Sequence, residues 1–261
     1  MESNDKMQEV AKDIVRWIKN YAESCNKSSL VIGISGGVDS SVVSTLCANT
    51  GLDVVVVSMP IHQLEGQDVL SKLHANKLLE KYDNVAFRDL DLSKVFDSFV
   101  ECLKDGEKSQ LSLANTRSRI RMTALYQIAS TCNGLVVGTG NKVEDFGIGF
   151  YTKYGDGGVD ISPIANLYKT EVWDLAKYLD VSKEIIDAPP TDGLWDDGRT
   201  DEDQIGASYQ ELEHVMKYGL SSEPTDRQRE VFKIYTKHNL QNSHKMLPIP
   251  VFSASKDNKG K

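Results

Sequence analysis

The run Leu30-Val31-Ile32-Gly33-Ile34-Ser35-Gly36-Gly37-Val38-Asp39-Ser40-Ser41 constrains this chain more than any other stretch. Leu30 to Ile34 is apolar and rich in β-branched residues, which specifies a buried strand. Small residues break the run, and Val42, Val43, Leu46 and Cys47 then form the apolar face of a helix. Two adjacent glycines permit a tight turn and a close approach to a ligand, because no Cβ intervenes. The amides of Gly36 to Ser40 would face outward at a helix N-terminus, whose positive dipole end favours an anion. Ser35, Ser40 and Ser41 add hydroxyl donors. Such a strand–loop–helix unit is a phosphate site.

The loop contains no lysine, so it is not the GxxxxGK[ST] cradle, whose lysine reaches the β- and γ-phosphates. Asp39 would repel a bare anion and is better suited to Mg²⁺ bridging to phosphates. The structural alternative is a plain glycine-rich turn with a Ser or Asp cap. SGGVDS resembles the pyrophosphate loop of the ATP-pyrophosphatase group, which includes NAD, GMP and asparagine synthetases and several tRNA-modifying enzymes.

Met7, Val10, Ile14, Trp17, Ile18 and Tyr21 recur at three and four, predicting a helix over about residues 5–24. Further strands are predicted at Asp53–Met59, Val85–Leu90 and Gly134–Thr139. Helical patterns fill residues 67–81, Val95–Leu103 and Leu113–Thr131, with a polar connector at 104–112. The alternation predicts an α/β fold: a doubly wound, mostly parallel, five-stranded Rossmann-like sheet with helices on both faces. A helical C-terminal part follows at 205–218 and 224–238. Ligands in such sheets bind beyond the carboxyl ends of the strands, so Ser35–Ser40 should face Thr139–Glu144.

A chain of 261 residues can bury a sizeable core. Its 30 basic and 38 acidic residues leave a net charge of −8, which argues against a broad nucleic-acid surface. Cys25, Cys47, Cys102 and Cys132 form no CxxC pair and read as reduced thiols of a cytoplasmic protein. Met1 to Gln8 is too polar for a signal peptide, and no apolar run is long enough to cross a bilayer.

Three further blocks carry chemistry. Gly138-Thr139-Gly140 is only a near match to GxGxxG, since Val143 stands at the third position. Its more informative member is Glu144, an acid one short loop beyond a strand, able to join Asp39 around one magnesium or to serve as a helix cap. Gly149 to Pro163 combines Phe150, Tyr151 and Tyr154 with Lys153, Asp156, Asp160 and several glycines, the composition of an ordered binding loop. Arg117 and Arg121 share one helix face and Arg119 takes another; arginine forks suit phosphate or carboxylate.

GISGGVDS, the NxRxRxRM pattern at Asn115–Met122, VVGTGNKVED, GFYTKYGDGGVDISPIANLYKTEV, the PPT at 189–191 and SHKMLPIP together resemble the ammonia-dependent NAD⁺ synthetase family. The resemblance covers most of the chain and implies a single domain over 1–261; by its acidic, Pro- and Gly-containing composition the stretch about 187–204 reads as a mobile loop, and about 252–261 as a flexible tail. It implies an ATP site at Gly33, Ile34, Ser35, Gly36, Gly37, Val38, Asp39 and Ser40, with Thr139, Lys169 and Thr191. Magnesium would fall on Asp39 and Glu144, and deamido-NAD⁺ on Arg119, Lys153, Asp160, His244 and Lys245. The implied reaction is amidation of deamido-NAD⁺ by free ammonia through an acyl-adenylate, releasing AMP and pyrophosphate. Lys153 would stabilise charge in the first step, and Asp156 would accept a proton from ammonium in the second. The family also implies a homodimer. A tRNA-modifying relative would want a basic tract or zinc-type cysteines, and neither is present. A non-catalytic nucleotide binder would have no use for paired metal acids. The loop from Asp187 to Asp203 reads as a lid over the ATP site.

Overall fold

The computed structural model describes residues 2–63, 69–190 and 200–252. Helix α1 (Glu2–Ser24) buries Met7, Ala11, Ile18 and Ala22 and turns a stacked Trp17–Tyr21 pair outward. There follow β1 (Ser29–Gly33), α2 (Val38–Ala48), β2 (Asp53–Ser58), α3 (Val69–Lys81), β3 (Val85–Asp89) and α4 (Ser93–Glu101). The polar connector contains a 3₁₀ turn at Asp105–Glu107 and is cut short by Ser109, whose hydroxyl accepts from Ser112 N–H and starts α5 (Gln110–Thr131). Next come β4 (Gly134–Val136), α6 (Lys169–Tyr178), α7 (Lys183–Ile186), α8 (Asp201–Ile205), α9 (Tyr209–Tyr218) and α10 (Asp226–Met246).

The sheet has four strands in the order β3-β2-β1-β4, and every neighbouring pair is parallel. Among the described residues the expected fifth strand does not form. Ile161 reaches Val137 through one parallel bridge only. The reason lies one residue earlier. Asp160 N–H donates to Val136 O at 2.9 Å, but the Val136 N–H is taken at 2.8 Å by the Asp160 carboxylate instead of a strand carbonyl. Pro163 then lacks the N–H needed to extend a ladder. The strand expected at Gly134–Thr139 accordingly shortens to three residues.

Side chains alternate across the sheet with period two. Leu30, Ile32, Val54, Val56 and Leu135 face one side, packed with residues of α1, α2, α3 and α6. Val31, Val57 and Val136 face the other, against Phe96 of α4 and Ile128 and Ala129 of α5. β1 is buried on both faces, which is why its sequence is a continuous apolar run. A third cluster, including Val143, Ile148, Tyr209, Leu212 and Val231, seats the C-terminal helices on the turn after β4.

The chain winds outward from β1 to β3 and then returns to place β4 on the other side of β1. The loops leaving β1 and β4 therefore diverge and open a crevice between them. Among the described residues no helix is long and apolar enough to cross a membrane. The central part of the expected lid, 191–199 with Thr191, and the tail from 253 lie outside the described residues.

Candidate active site

A cavity of about 590 Å³ occupies that crevice. The whole loop from Gly33 to Ser40 lines it, with Thr139, Glu144, Asp156 and Lys169 opposite or beside. The loop is tied to itself. Ser35 Oγ accepts from Gly37 N–H at 3.2 Å, while Ser40 and Ser41 hydroxyls both donate to Gly37 O at 3.0 Å. Gly36 has φ +83°, and a Cβ there would lie 2.9 Å from Leu70 Cβ and Ser71 N. Only glycine fits. Gly37 at the N-cap of α2 offers no side-chain acceptor, so the first amides of that helix keep their capacity for a bound anion.

Behind the loop stands a buried ionic cluster. Lys169, whose side chain is 3% exposed, reaches Asp39 and also donates to Glu144 Oε1 at 3.1 Å. Asn141 orders both acids. Its Nδ2 donates to Asp39 Oδ1 at 3.1 Å, and its Oδ1 accepts the Val143 and Glu144 amides. Glu144 sits in a π-helical turn, Val143–Ile148, whose widened backbone presents the carboxylate toward Lys169. Tyr209 completes the cluster by donating to Glu144 Oε1 at 2.7 Å and approaching Asp201 Oδ2 at 3.2 Å.

Burial raises the Asp39 pKa, and the nearby Glu144 charge adds to that, against the pull of Lys169. Burial works in the same direction on Glu144, but Lys169 and the Tyr209 and Asn141 hydrogen bonds outweigh it and hold the pKa below the usual value. Lys169 is raised despite burial because two carboxylates face it. The neighbouring Asp145 is pushed well up by burial and by Glu144, Asp156 and Asp39. Asp39, Glu144, Asp145, Asp156 and Asp201 border the cavity, against the cations of Lys169 and Arg121. This wall holds a surplus of negative charge.

The KYGDGG loop is mounted on one face of α5. Thr152 Oγ1 donates to Asn115 Oδ1 at 2.6 Å, and Arg119 Nε donates to Lys153 O at 3.3 Å. Ser118 Oγ donates to Asp156 Oδ1 at 2.7 Å and accepts the Asp156 N–H at 2.9 Å. Asn115, Ser118 and Arg119 share a face at helical spacing. Arg117 and Arg121 turn elsewhere, as their spacing predicts: Arg117 over the Phe96 ring, Arg121 Nε to Met59 O at 2.9 Å. Asp156 is exposed at the cavity, and desolvation by the protein packed around its carboxylate raises its pKa.

Other residues expected at the substrate are engaged within the fold. Lys153 Nζ donates to His244 O at 2.8 Å, and Lys245 Nζ donates to the Gly149 and Tyr151 carbonyls at 2.8 Å. His244 Nδ1 lies 3.1 Å from Gln241 O. Asp160 accepts from Val136 N–H and from the Tyr126 hydroxyl at 3.0 Å. Ala188, Pro189 and Pro190 on one side of the expected lid, and Thr200 and Asp201 on the other, line the cavity. Sequence reasoning missed Asn115, Ser118, Asn141, Asp145 and Tyr209. Asp145 directly follows Glu144, Ser118 lies between Arg117 and Arg119, and Asn141 falls in the same turn as Glu144, so position beside a singled-out residue was the one signal that could have flagged them.

A phosphate loop, two acids held by a lysine across a β1–β4 switch point, and a glycine-hinged acidic loop thus meet in one crevice. The family model for NAD synthase matches residues 10–248. An NH₃-dependent NAD⁺ synthetase from Carboxydothermus hydrogenoformans is 39% identical over 219 residues, covering 82% of this chain and 87% of the relative. One from Thermoplasma acidophilum is 36% identical, covering 94% and 97% respectively. Among solved structures, NMN synthetase from Francisella tularensis superposes with a TM-score of 0.83 at 30% identity, covering 95% of this chain and 98% of that one. With this match running from the first helix to the end of the last, the chain belongs to the NAD synthase family.

Proposed function

We propose that this chain amidates the nicotinate carboxylate of deamido-NAD⁺ with ammonia, at the expense of ATP cleaved to AMP and pyrophosphate. The observation that carries this reading is the shared cavity: phosphate loop and Asp39–Lys169–Glu144 cluster on one wall, Asp156 on another. A carboxylate is a poor electrophile, so it must first attack the α-phosphorus and form an acyl-adenylate. The loop amides and the α2 dipole would hold the departing pyrophosphate. Lys153, if released from His244 O, would lie in the same loop as Asp156 and offset substrate charge. Asp156, with its pKa raised by desolvation, is suited to take a proton from ammonium. The NAD⁺ synthetase names of the relatives support this substrate choice.

Mg²⁺ fits the residues present. Oxygens of Asp39 and Glu144 both face the Lys169 ammonium, so an ion would take these carboxylates only as the lysine moved aside, and Mg²⁺ characteristically takes one or two carboxylates beside phosphates and water. Among the described residues no cluster of three His, Cys, Asp or Glu would hold a metal unaided, so substrate phosphates would have to complete the shell. When bound there, the ion would neutralise charge on the phosphates.

The assay is direct: purified chain with deamido-NAD⁺, ATP, Mg²⁺ and ammonium, following NAD⁺, AMP and pyrophosphate. ADP and phosphate as products would overturn the adenylation reading. The structural likeness to an NMN synthetase favours a second reading, in which the mononucleotide carries the nicotinate carboxylate. Running both acyl substrates side by side and comparing kcat/KM decides between them. We also propose a homodimer, for which the outward Trp17–Tyr21 pair on α1 offers apolar area. Sedimentation at several concentrations tests it.

A further inference from the structure

We infer that Ser118 is a positioning residue for Asp156, fixing its carboxylate so that one oxygen is held by the protein and the other is left to the substrate. The inference rests on the proposed role of Asp156 as acceptor of the ammonium proton. Ser118 is 6% exposed and lies mid-way along α5. Its single hydroxyl hydrogen goes to Asp156 Oδ1 at 2.7 Å, and its oxygen accepts the N–H of the same residue at 2.9 Å. Thr152 N–H donates to that same Oδ1 at 2.9 Å. Two donors on one oxygen set the plane of the carboxylate. No hydrogen bond from a described residue reaches Oδ2, the oxygen left for a ligand in the cavity.

The contact is built, not incidental. A Cβ on Gly155 would lie 2.2 Å from Ser118 Oγ, so the glycine before Asp156 is what lets the loop come this close to the helix. Asn115 and Arg119, on the same face, fix Thr152 and Lys153 on the other side of that glycine. The charged neighbours of Asp156 are Glu144 and Asp145 from the turn after β4 and Lys245 from α10. None of them donates a hydrogen bond to its carboxylate among the described residues. Orientation therefore falls to Ser118 and the Thr152 amide.

In the step concerned, NH₄⁺ gives one proton to Asp156, and the freed lone pair forms the C–N bond at the acyl-adenylate carbonyl. The C–O bond to AMP breaks with its electron pair leaving on AMP, and a second N–H proton passes to water. A carboxylate free to rotate would meet the ammonium in the productive orientation less often.

The test compares Ser118→Ala, Asp156→Asn and the double variant in two assays: ammonia-dependent amidation, and pyrophosphate–ATP exchange without ammonia. Alanine is a better helix former than serine, so α5 is retained, as a thermal melt will check. Expected for Ser118→Ala is about a tenfold fall in kcat/KM for ammonium with a much smaller change in exchange, part of the loss a positioned acid–base group can show. On the Asp156→Asn background, Ser118→Ala should cost nothing further. Equal falls in both assays, or effects that multiply in the double variant, would reduce Ser118 to packing and overturn the inference. Wild-type amidation by Asp156→Asn would instead overturn the reading of Asp156 itself.

Discussion

The Tyr209 hydroxyl donates to Glu144 Oε1 at 2.7 Å from a residue with no exposed surface. Its ring is held edge-on to Trp173, with centroids 6.2 Å apart, and lies under the Lys169 ammonium at 4.9 Å. Tyr209→Phe keeps those ring contacts and removes one hydrogen bond to a buried carboxylate. We expect a loss of about 1–3 kcal/mol in urea unfolding. Calorimetric titration of an ATP analogue should also show weaker enhancement by Mg²⁺, because Glu144 loses a constraint on its direction.

Lys169→Met should be far more damaging. It leaves Asp39 and Glu144 buried together without a cation, a defect that costs about 3–5 kcal/mol. Without Lys169 both folded-state pKa values lie above their unfolded ones, so the defect is full at neutral pH and shrinks as pH falls and the acids protonate. Denaturation of variant and wild type at pH 7 and pH 4.5 checks the sign: the gap must narrow at the lower pH. Adding Asp39→Asn should recover part of the loss.

Asp39→Asn alone should leave the fold intact. Burial already raises the Asp39 pKa in the native state, so removing its charge relieves as much as it costs, and Lys169 keeps Glu144. Turnover should fall by about 100-fold or more, the scale of losing preorganised charge at a phosphate site. Unchanged turnover at saturating Mg²⁺ would refute the role of Asp39.

His74 predicts a pH dependence of stability. It is buried beside Ser44, with Nε2 at 2.8 Å from the hydroxyl, and burial is the chief cause that lowers its pKa from 6.5 to about 4. The unfolded chain therefore binds more protons between those values, and stability must drop as pH falls through that window. The drop attributable to His74 is at most about 3 kcal/mol at the acid end. Unfolding free energies of wild type and His74→Gln, followed from pH 7 to pH 4, should converge.

Much of the crevice was legible because it is made by contiguous residues. The apolar run into SGGVDS specifies β1, its turn and α2 together, and the acid after the GTG turn falls opposite it. The arginines of α5 separate onto two sides as a helical period requires. Contacts between distant segments left no such trace. Ser118 and Asp156 lie 38 residues apart, and a serine among arginines reads as part of a solvated face. Tyr209 carries the signature of any core aromatic on an amphipathic helix. Lys169, expected at ATP, lines the same cavity but is paired with two acids, a placement created by the packing of α6 against α2 and by the π turn that brings Glu144 to the same lysine. The missing strand is hidden for a different reason: an aspartate that substitutes its side chain for a backbone carbonyl does not alter hydrophobic periodicity.

Lys153→Met should be felt at the other end of the chain. The His244 carbonyl that Lys153 contacts is in the last turn of α10, where carbonyls lack helical partners and a cation is favourable. Amide exchange at the end of α10 should quicken several-fold, consistent with a contact of about 0.3–1 kcal/mol. Exchange unchanged there would show the contact to be energetically idle.

Helix α5 acts as a ruler. Arg121 ties it to the end of β2 through Met59 O, while Asn115, Ser118 and Arg119 carry the acidic loop. Ser118 and Arg121 are three residues apart, about 4.5 Å of axial rise, and the spacing belongs to the helix itself rather than to any loop. One inserted residue between them would rotate one set of anchors by about 100° relative to the other. The β2 end and the Asp156 loop are therefore held at a fixed distance across the crevice by a single rigid rod, and any chemistry between them inherits its tolerance.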